Sequence, residues 1–180
     1  MIYNNEIQSF IINTKERRNR KIICEKQLKR RNLKSKFFIQ PMNSNPIEGN
    51  KQSHISLIKR SIEDGLDKVL VLEDDFKIIE SLDNLPEMPS DWDILYLGGD
   101  VLRKLEPTRN GWVRCVTKKH HAYLVNLKNE KMIEEMERCL KKKGKKYDDW
   151  MAERIHPIYR CYMLNPMRII QYDDISDITK

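Results

Sequence analysis

The chain contains no apolar run long enough to span a membrane, and residues 1–9 carry no apolar core of the kind a secretory leader needs. The compartment expected from sequence is therefore cytoplasmic. Cysteine is sparse: Cys24, Cys115, Cys139 and Cys161 stand far apart, and no C-x-x-C pair occurs. Zinc knuckles and dithiol redox chemistry are thereby disfavoured, and reduced, partly buried thiols are expected. Only 6 Gly and 7 Pro in 180 residues exclude collagen-like and low-complexity architectures. Aromatics make up 8%, few for a module that stacks nucleic-acid bases. No internal repeat is present.

What remains is a globular composition, 39% hydrophobic and 34% charged, in a chain long enough to bury one core without disulfides. Residues 1–180 are read as one domain. The formal net charge is +7 and the pI near 9.2. That sign attracts polyanions, whether nucleic acid, anionic membrane or nucleotide diphosphates. The basic residues concentrate in residues 15–36 and 141–146, and the second run brackets Gly144 and is read as a solvated loop.

Along the chain, short apolar stretches alternate with amphipathic ones. Ile7 to Ile12 reads as a strand, followed by a charged helix carrying Ile22, Ile23 and Leu28. Lys36 to Ile39 reads as a second strand, ended by Pro41 and a polar loop through Asn50. From Ser53, the residues Ile55, Ile58, Ile62 and Leu66 recur at three- and four-residue steps, which predicts a helix closing near Gly65. Val69-Leu70-Val71-Leu72 runs apolar without alternation, the pattern of a strand covered on both faces.

A second such strand, Trp92 to Leu97, is expected to stop at Gly98-Gly99-Asp100. Val113 to Val116 and Ala122 to Val125 read as shorter strands. Met132, Met136 and Leu140 share one face of a helix starting near Asn126 and ending before Gly144. Strands or irregular structure interrupted by Pro166 follow from Tyr159 to Ile170. The order predicts an α/β fold with a mostly parallel central sheet flanked by helices.

Chemistry is expected at Glu73-Asp74-Asp75, directly after the doubly buried strand. Three adjacent carboxylates repel unless a cation or several donors hold them. Continued strand geometry would turn Glu73 and Asp75 to one face and Asp74 to the other, so the first and third can share one ion. Hard oxygen ligands favour Mg²⁺ or Mn²⁺. The competing structural account is an acidic surface turn, or a helix N-cap at Asp75.

The motifs around this triplet resemble glycosyltransferase family 25, which includes lipooligosaccharide sugar transferases and collagen galactosyltransferases. Ile11-Ile12-Asn13 with Arg17 and Arg20 is similar to the family's opening strand and arginine-containing turn. Gly49, Ser53 and His54 resemble its Gly-x-x-x-Ser-His element, and Val69 to Asp75 its most recognisable stretch. Asp93-Ile94-Leu95-Tyr96-Leu97-Gly98 resembles the following strand. His121-Ala122-Tyr123-Leu124 resembles its His-Ala-Tyr element, and Gln171 with Ser176-Asp177-Ile178 its terminal motif. Two departures, the short polar segment Pro41 to Glu48 and Asn50 where a cysteine is common, imply an abbreviated donor pocket.

The resemblance implies a GT-A-like, Rossmann-related domain that moves a hexose from a UDP-sugar to a glycan or protein hydroxyl, with inversion and a divalent ion. On that basis Glu73 and Asp75 are the expected metal ligands. Asn13, Arg17, Arg20, His54, Asp74, His121 and Tyr123 are expected around the nucleotide sugar. Asp74 would meet the ribose or sugar, and the two guanidiniums would fork onto phosphate. His54 also suits a hydrogen-bonded structural role, and His120 is expected to be exposed.

Direct displacement needs a carboxylate to take the acceptor proton. Asp149 and Asp148, beside Trp150, are the first candidates and Asp100 the competitor. Asp148 and Asp149 equally suit the N-cap of a helix over residues 149–155. A basic nucleic-acid-binding module, a metal-dependent phosphodiesterase and an inactive nucleotide-sugar-binding protein are the other classes compatible with the residues.

Overall fold

The computed structural model describes residues 7–172. Eight strands and four α-helices follow in order: β1 (Gln8–Thr14), α1 (Arg18–Arg30), β2 (Lys36–Gln40), α2 (Pro46–Glu63), β3 (Lys68–Glu73), β4 (Phe76–Ile78), β5 (Ile94–Lys104), β6 (Trp112–Asn126), α3 (Glu130–Glu137), α4 (Tyr147–Trp150), β7 (Cys161–Leu164) and β8 (Ile169–Gln171). A tight 3₁₀ turn, Arg138–Lys141, extends α3, and a wider helical turn, Met151–Ile155, continues α4.

Six strands form the central sheet in the order β2-β1-β3-β6-β5-β7. The α/β class holds, but the sheet is mixed rather than mostly parallel. β1 runs parallel to β2 and β3, and β5 to β7, whereas β6 is antiparallel to β3, β5 and β7. The reason is the connection between β5 and β6: without a crossover helix, successive strands return antiparallel. The parallel trio β1, β2 and β3 ends along one edge, at Thr14, Gln40 and Glu73. The second half of β6 starts its pairing with β3 near the same edge, with Ala122 opposite Leu72.

Strand β3 is buried on both faces, as its unbroken apolar run implies. Val69 and Val71 join the core under α2, α3 and α4, and Leu70 and Leu72 the core under α1. All four cysteines are buried and free. Among the described residues no helix is long and apolar enough to cross a membrane.

Several boundaries differ from those expected. Helix α2 starts at Pro46, seven residues before Ser53, because the Asn45 side chain accepts the amides of Ile47 and Glu48 and proline suits the first turn. β5 continues through Gly98-Gly99 to Lys104 as an exposed arm paired with β6, and the two short strands expected at Val113 and Ala122 are one strand, β6. α3 starts at Glu130, where the Asn129 side chain caps the Met132 amide. The tail expectation resolves into β7 and β8 on either side of Pro166.

Gly98 is required by a close approach rather than by a chain stop. A Cβ there would lie 1.7 Å from the Ile169 carbonyl oxygen, so β8 crosses β5 only over a hydrogen. β8 also pairs with β4, the strand that leaves the acidic triplet. Gly98→Ala is therefore expected to displace β8 and cost about 2 kcal/mol or more, as measured by urea unfolding. Parental stability in that variant would show that the crossing is not tight.

Candidate active site

The triplet at the end of β3 divides into three environments. The strand ends at Glu73 and the chain turns through Asp74 and Asp75 into β4. Asp74 is turned inward, 4% exposed, and its oxygens are taken by neighbours from β1 and α1. Asn13 Nδ2 donates to Oδ2 at 2.8 Å, Arg20 Nη1 to Oδ1 at 2.8 Å, and Arg17 Nη1 to Oδ1 at 3.2 Å. The Cys24 thiol donates to the Asp74 carbonyl at 3.3 Å. Four of the residues expected around a nucleotide sugar thus meet one another. The lone pairs on Asp74 expected to meet a ribose are engaged by two guanidiniums and an amide, an arrangement that fastens α1 to the end of β3.

Glu73 faces α2. Its Oε1 accepts from Asn50 Nδ2 at 2.9 Å and lies 3.0 Å from His54 Nε2. Burial opposes its ionisation, but the His54 contact outweighs that and holds the carboxyl below its usual range. His54 Nδ1 is 2.7 Å from the Tyr123 hydroxyl, which in turn lies 3.3 Å from the hydroxyl of Tyr147. The Tyr147 ring stacks on His54 with centroids 4.5 Å apart. His54 and Tyr123 are both fully buried, so they support Glu73 from behind.

Asp75 receives one hydrogen bond from Gln171 Nε2, 3.0 Å from Oδ2, and Arg20 Nη1 lies 3.4 Å from the same oxygen. Its Oδ1 is buried and has no hydrogen-bond partner among the described residues. Burial first, and the neighbouring Glu73 second, push this carboxyl up to about 7. Glu73 and Asp75 line one cavity of about 440 Å³, together with Asn13, Arg17, Met42 and Gly49. An orphaned carboxylate oxygen beside a second carboxylate fits a hard divalent cation. Among the described residues no group of three or more His, Cys, Asp or Glu side chains converges on a cation position. Such a cation would depend on two carboxylates plus oxygens brought by phosphate and water, the usual manner of Mg²⁺.

The second half of the chain contributes a bulge. Between the pairs Gly98–Ala122 and Asp100–Lys118 the β5/β6 register shifts, and Lys119 adopts φ +60°. Extra residues on one strand re-aim side chains, and here both His120 and His121 are driven inside, 1% and 2% exposed. The expectation of an exposed His120 is corrected by that bulge. His120 Nδ1 lies 3.0 Å from Asp148 Oδ1, and its ring packs edge-on against Tyr147 and His156. His121 Nε2 lies 3.4 Å from the Ile169 carbonyl, and burial depresses its basicity.

The three acids considered for the proton-accepting role gather on this one bulged segment. Asp149 pairs with Lys118 at 2.7 Å and Asp100 with Lys119 at 2.9 Å, while Asp148 accepts the Lys119 amide at 3.0 Å. Burial of Asp148 favours its neutral form, yet the His120 contact and the amide prevail and hold it well below the usual carboxylate range. Neither Asp148 nor Asp149 caps α4: both lie in its first turn, Lys146 occupies the cap position, and no side-chain cap bond forms. Ser176-Asp177-Ile178 lies outside the described residues.

Asn50, Gln171 and Tyr147 carry no role in the reading from sequence. Asn50 stands one helical turn before His54, a spacing that puts both on the same face toward Glu73, so that signal was present. The inward His120 depends on the bulge, and Tyr147 reaches His54 from α4; neither carries a local signal.

No protein-family profile matches this chain. Human procollagen galactosyltransferase 2 is 29% identical over 121 residues, covering 60% of this chain. The chain spans only 19% of that relative's length. Among solved structures, a glycosyltransferase involved in glycosylation of the major capsid of PBCV-1 superposes with a TM-score of 0.54 at 9% identity, over 93% of this chain and 96% of that one. Mannose-1-phosphate geranyltransferase from Thermus thermophilus gives 0.54 at 8% identity, over 88% and 73%. The glycosyltransferase GlyE of Streptococcus pneumoniae gives 0.54 at 15%, over 96% of this chain and 55% of that one. The fold is of the GT-A glycosyltransferase type.

The state of Asp75 makes a prediction. A carboxyl raised from an ordinary 3.8 to about 7 favours the folded state when protonated, so its contribution is complete below about pH 4 and is lost as pH rises through about 7. In the absence of divalent ions, Asp75→Asn is expected to be more stable than the parent at pH 8 and nearly equal to it at pH 4, by urea unfolding. Superimposable pH profiles for the two proteins would remove the basis for a frustrated carboxylate.

Proposed function

We propose that this chain is a glycosyltransferase that moves a hexose from a UDP-sugar to a hydroxyl of a glycan or a glycoprotein, with inversion and with a divalent cation, Mn²⁺ or Mg²⁺. The observation that carries it is the pairing of Glu73 with Asp75 across a cavity at the carboxyl ends of β1 and β3, with Asp75 Oδ1 buried and unmatched. Ligands of open α/β sheets bind at that edge, and a nucleotide diphosphate would complete the oxygen set. The likeness to human procollagen galactosyltransferase 2 supports the same chemistry.

Each residue's part follows from its contacts. Glu73 and Asp75 would hold the cation, which would neutralise the diphosphate as it leaves. Asn50 and His54 fix the Glu73 carboxylate, so its second oxygen keeps one direction without reorganisation. Asn13 and Arg17 line the cavity and give the nucleotide an amide and a guanidinium edge. Tyr123 backs His54, and His121 lies buried against the Ile169 carbonyl outside the cavity lining. Asp148, held by His120 and the Lys119 amide, is a poor proton acceptor and instead fixes the start of α4 on β6. Asp149, half-buried and paired with the partly exposed Lys118 side chain, is the proposed base.

Nucleotide sugars screened with Mn²⁺ test this. A UDP-hexose is expected to raise the melting temperature in a cation-dependent way, about 2–3 kcal/mol of stabilisation at a hundredfold excess over Kd, and Asp75→Ala is expected to abolish the shift. Asp149→Asn is expected to retain donor stabilisation while transfer falls roughly a hundredfold or more. If no nucleotide sugar stabilises the parent, the assignment fails. If the chain cleaves phosphodiesters without moving a sugar, the same carboxylates serve a phosphodiesterase.

A further inference from the structure

The positive charge of this protein comes from one place. Of 34 lysines and arginines, eleven fall within residues 15–36 against two of the 27 acidic residues, so that segment carries +9 and the rest of the chain −2. The segment is α1 with its flanks. Its inner face is spent on the fold: Cys24 and Leu28 are buried, Arg17 and Arg20 hold Asp74, and Lys21 lies over the Phe37 ring. At 100° per residue the outer face presents Arg18, Asn19, Ile22, Lys26, Lys29 and Arg30, with Ile23 and Glu25 at its margins.

Two of these side chains are apolar in a field that, apart from Asn19 and Glu25, is cationic. Ile22 is 47% exposed and Ile23 40%. Lys29 and Arg30 also suit the negative end of the helix dipole, but that accounts for neither Arg18 and Lys26 nor the exposed Arg31 and Lys34 that follow. A helix turned outward with basic residues around β-branched apolar ones matches an anionic bilayer: the cations meet headgroup phosphates and the isoleucines enter the acyl boundary. Nucleic acid would reward the charge but not the isoleucines, and the outer face of α1 carries no aromatic to stack on a base.

We propose that α1 is a membrane-docking element that holds this protein on anionic phospholipid surfaces. Arg20 and Ile23 border the surface hollow that contains Asp75, and Arg17 lines the main cavity. Docking by α1 therefore brings the mouth of the site close to the headgroup layer. The inference does not depend on the sugar-transfer assignment, because it uses side chains that the site does not.

The test is vesicle co-sedimentation of the full chain with phosphatidylcholine alone and with about a third phosphatidylglycerol, alongside binding to a random-sequence duplex DNA and a single-stranded RNA. Binding is expected on the anionic vesicles only, falling with salt. Lys26→Glu with Arg30→Glu should lower the partition at least tenfold, and Ile22→Ser several-fold. These positions are exposed, and circular dichroism with the melting temperature checks that the variants fold. Equal binding to neutral vesicles, or anionic binding unchanged by the reversals, overturns the proposal. So does DNA or RNA binding that outcompetes the vesicles and ignores Ile22→Ser. The salt titration of the parent gives the same decision without any variant, since salt-insensitive partition is incompatible with charge-driven docking.

Discussion

Three consecutive carboxylates at the end of a doubly buried strand repel one another, and this structure relieves the repulsion by turning each into a different environment, with Arg20 shared between two of them. Asp74 takes the inward position and is neutralised by Arg17 and Arg20 with the help of Asn13. That cluster draws the start of α1 onto β3 and lets Glu73 and Asp75 share the cavity. Without the two arginines the central carboxylate would be a buried charge with nothing opposite, a loss of several kcal/mol in comparable cases. The fold around the cavity therefore depends on a carboxylate whose oxygens are taken up by α1 and β1.

The remaining two carboxylates are treated unequally. Glu73 is fully braced, through His54 to the Tyr123 and Tyr147 hydroxyls. Asp75 is only half satisfied, and burial with Glu73 beside it raises its pKa. In the proposed cation site one carboxylate would be fixed in advance, and the other would gain most when the charge arrives.

In the second half of the chain the β5/β6 bulge plays the organising part. By turning His120 inward it recruits Asp148, and by presenting Lys118 and Lys119 it gathers Asp149 and Asp100 onto the same segment. α1 likewise has two faces with two uses. Its inner arginines complete the acidic strand end, while its outer cations and isoleucines are turned to solvent or to a surface.

Much of this was legible in the chain. The unbroken Val69 to Leu72 run announced a strand covered on both sides, because only such a strand tolerates apolar residues at both parities. The 3.6-residue spacing of Ile55, Ile58 and Ile62 announced α2, though its start at Pro46 was marked by the Asn45 cap rather than by periodicity. The acidic triplet stood out because like charges in sequence need an explanation. Sequence could not show which carboxylate would turn inward, since that depends on Arg17 and Arg20 arriving from a segment more than fifty residues earlier. Nor could it show that β6 is antiparallel, that Gly98 clears a path for β8, or that adjacent histidines both point inward. Those outcomes are set by strand pairing and by a bulge, where the register of distant segments overrides local alternation. Composition and periodicity determined the elements and the acidic end of β3; the tertiary structure decided which carboxylate is paired inward and which keeps an unmatched oxygen, because burial and pairing exist only once the strands have met.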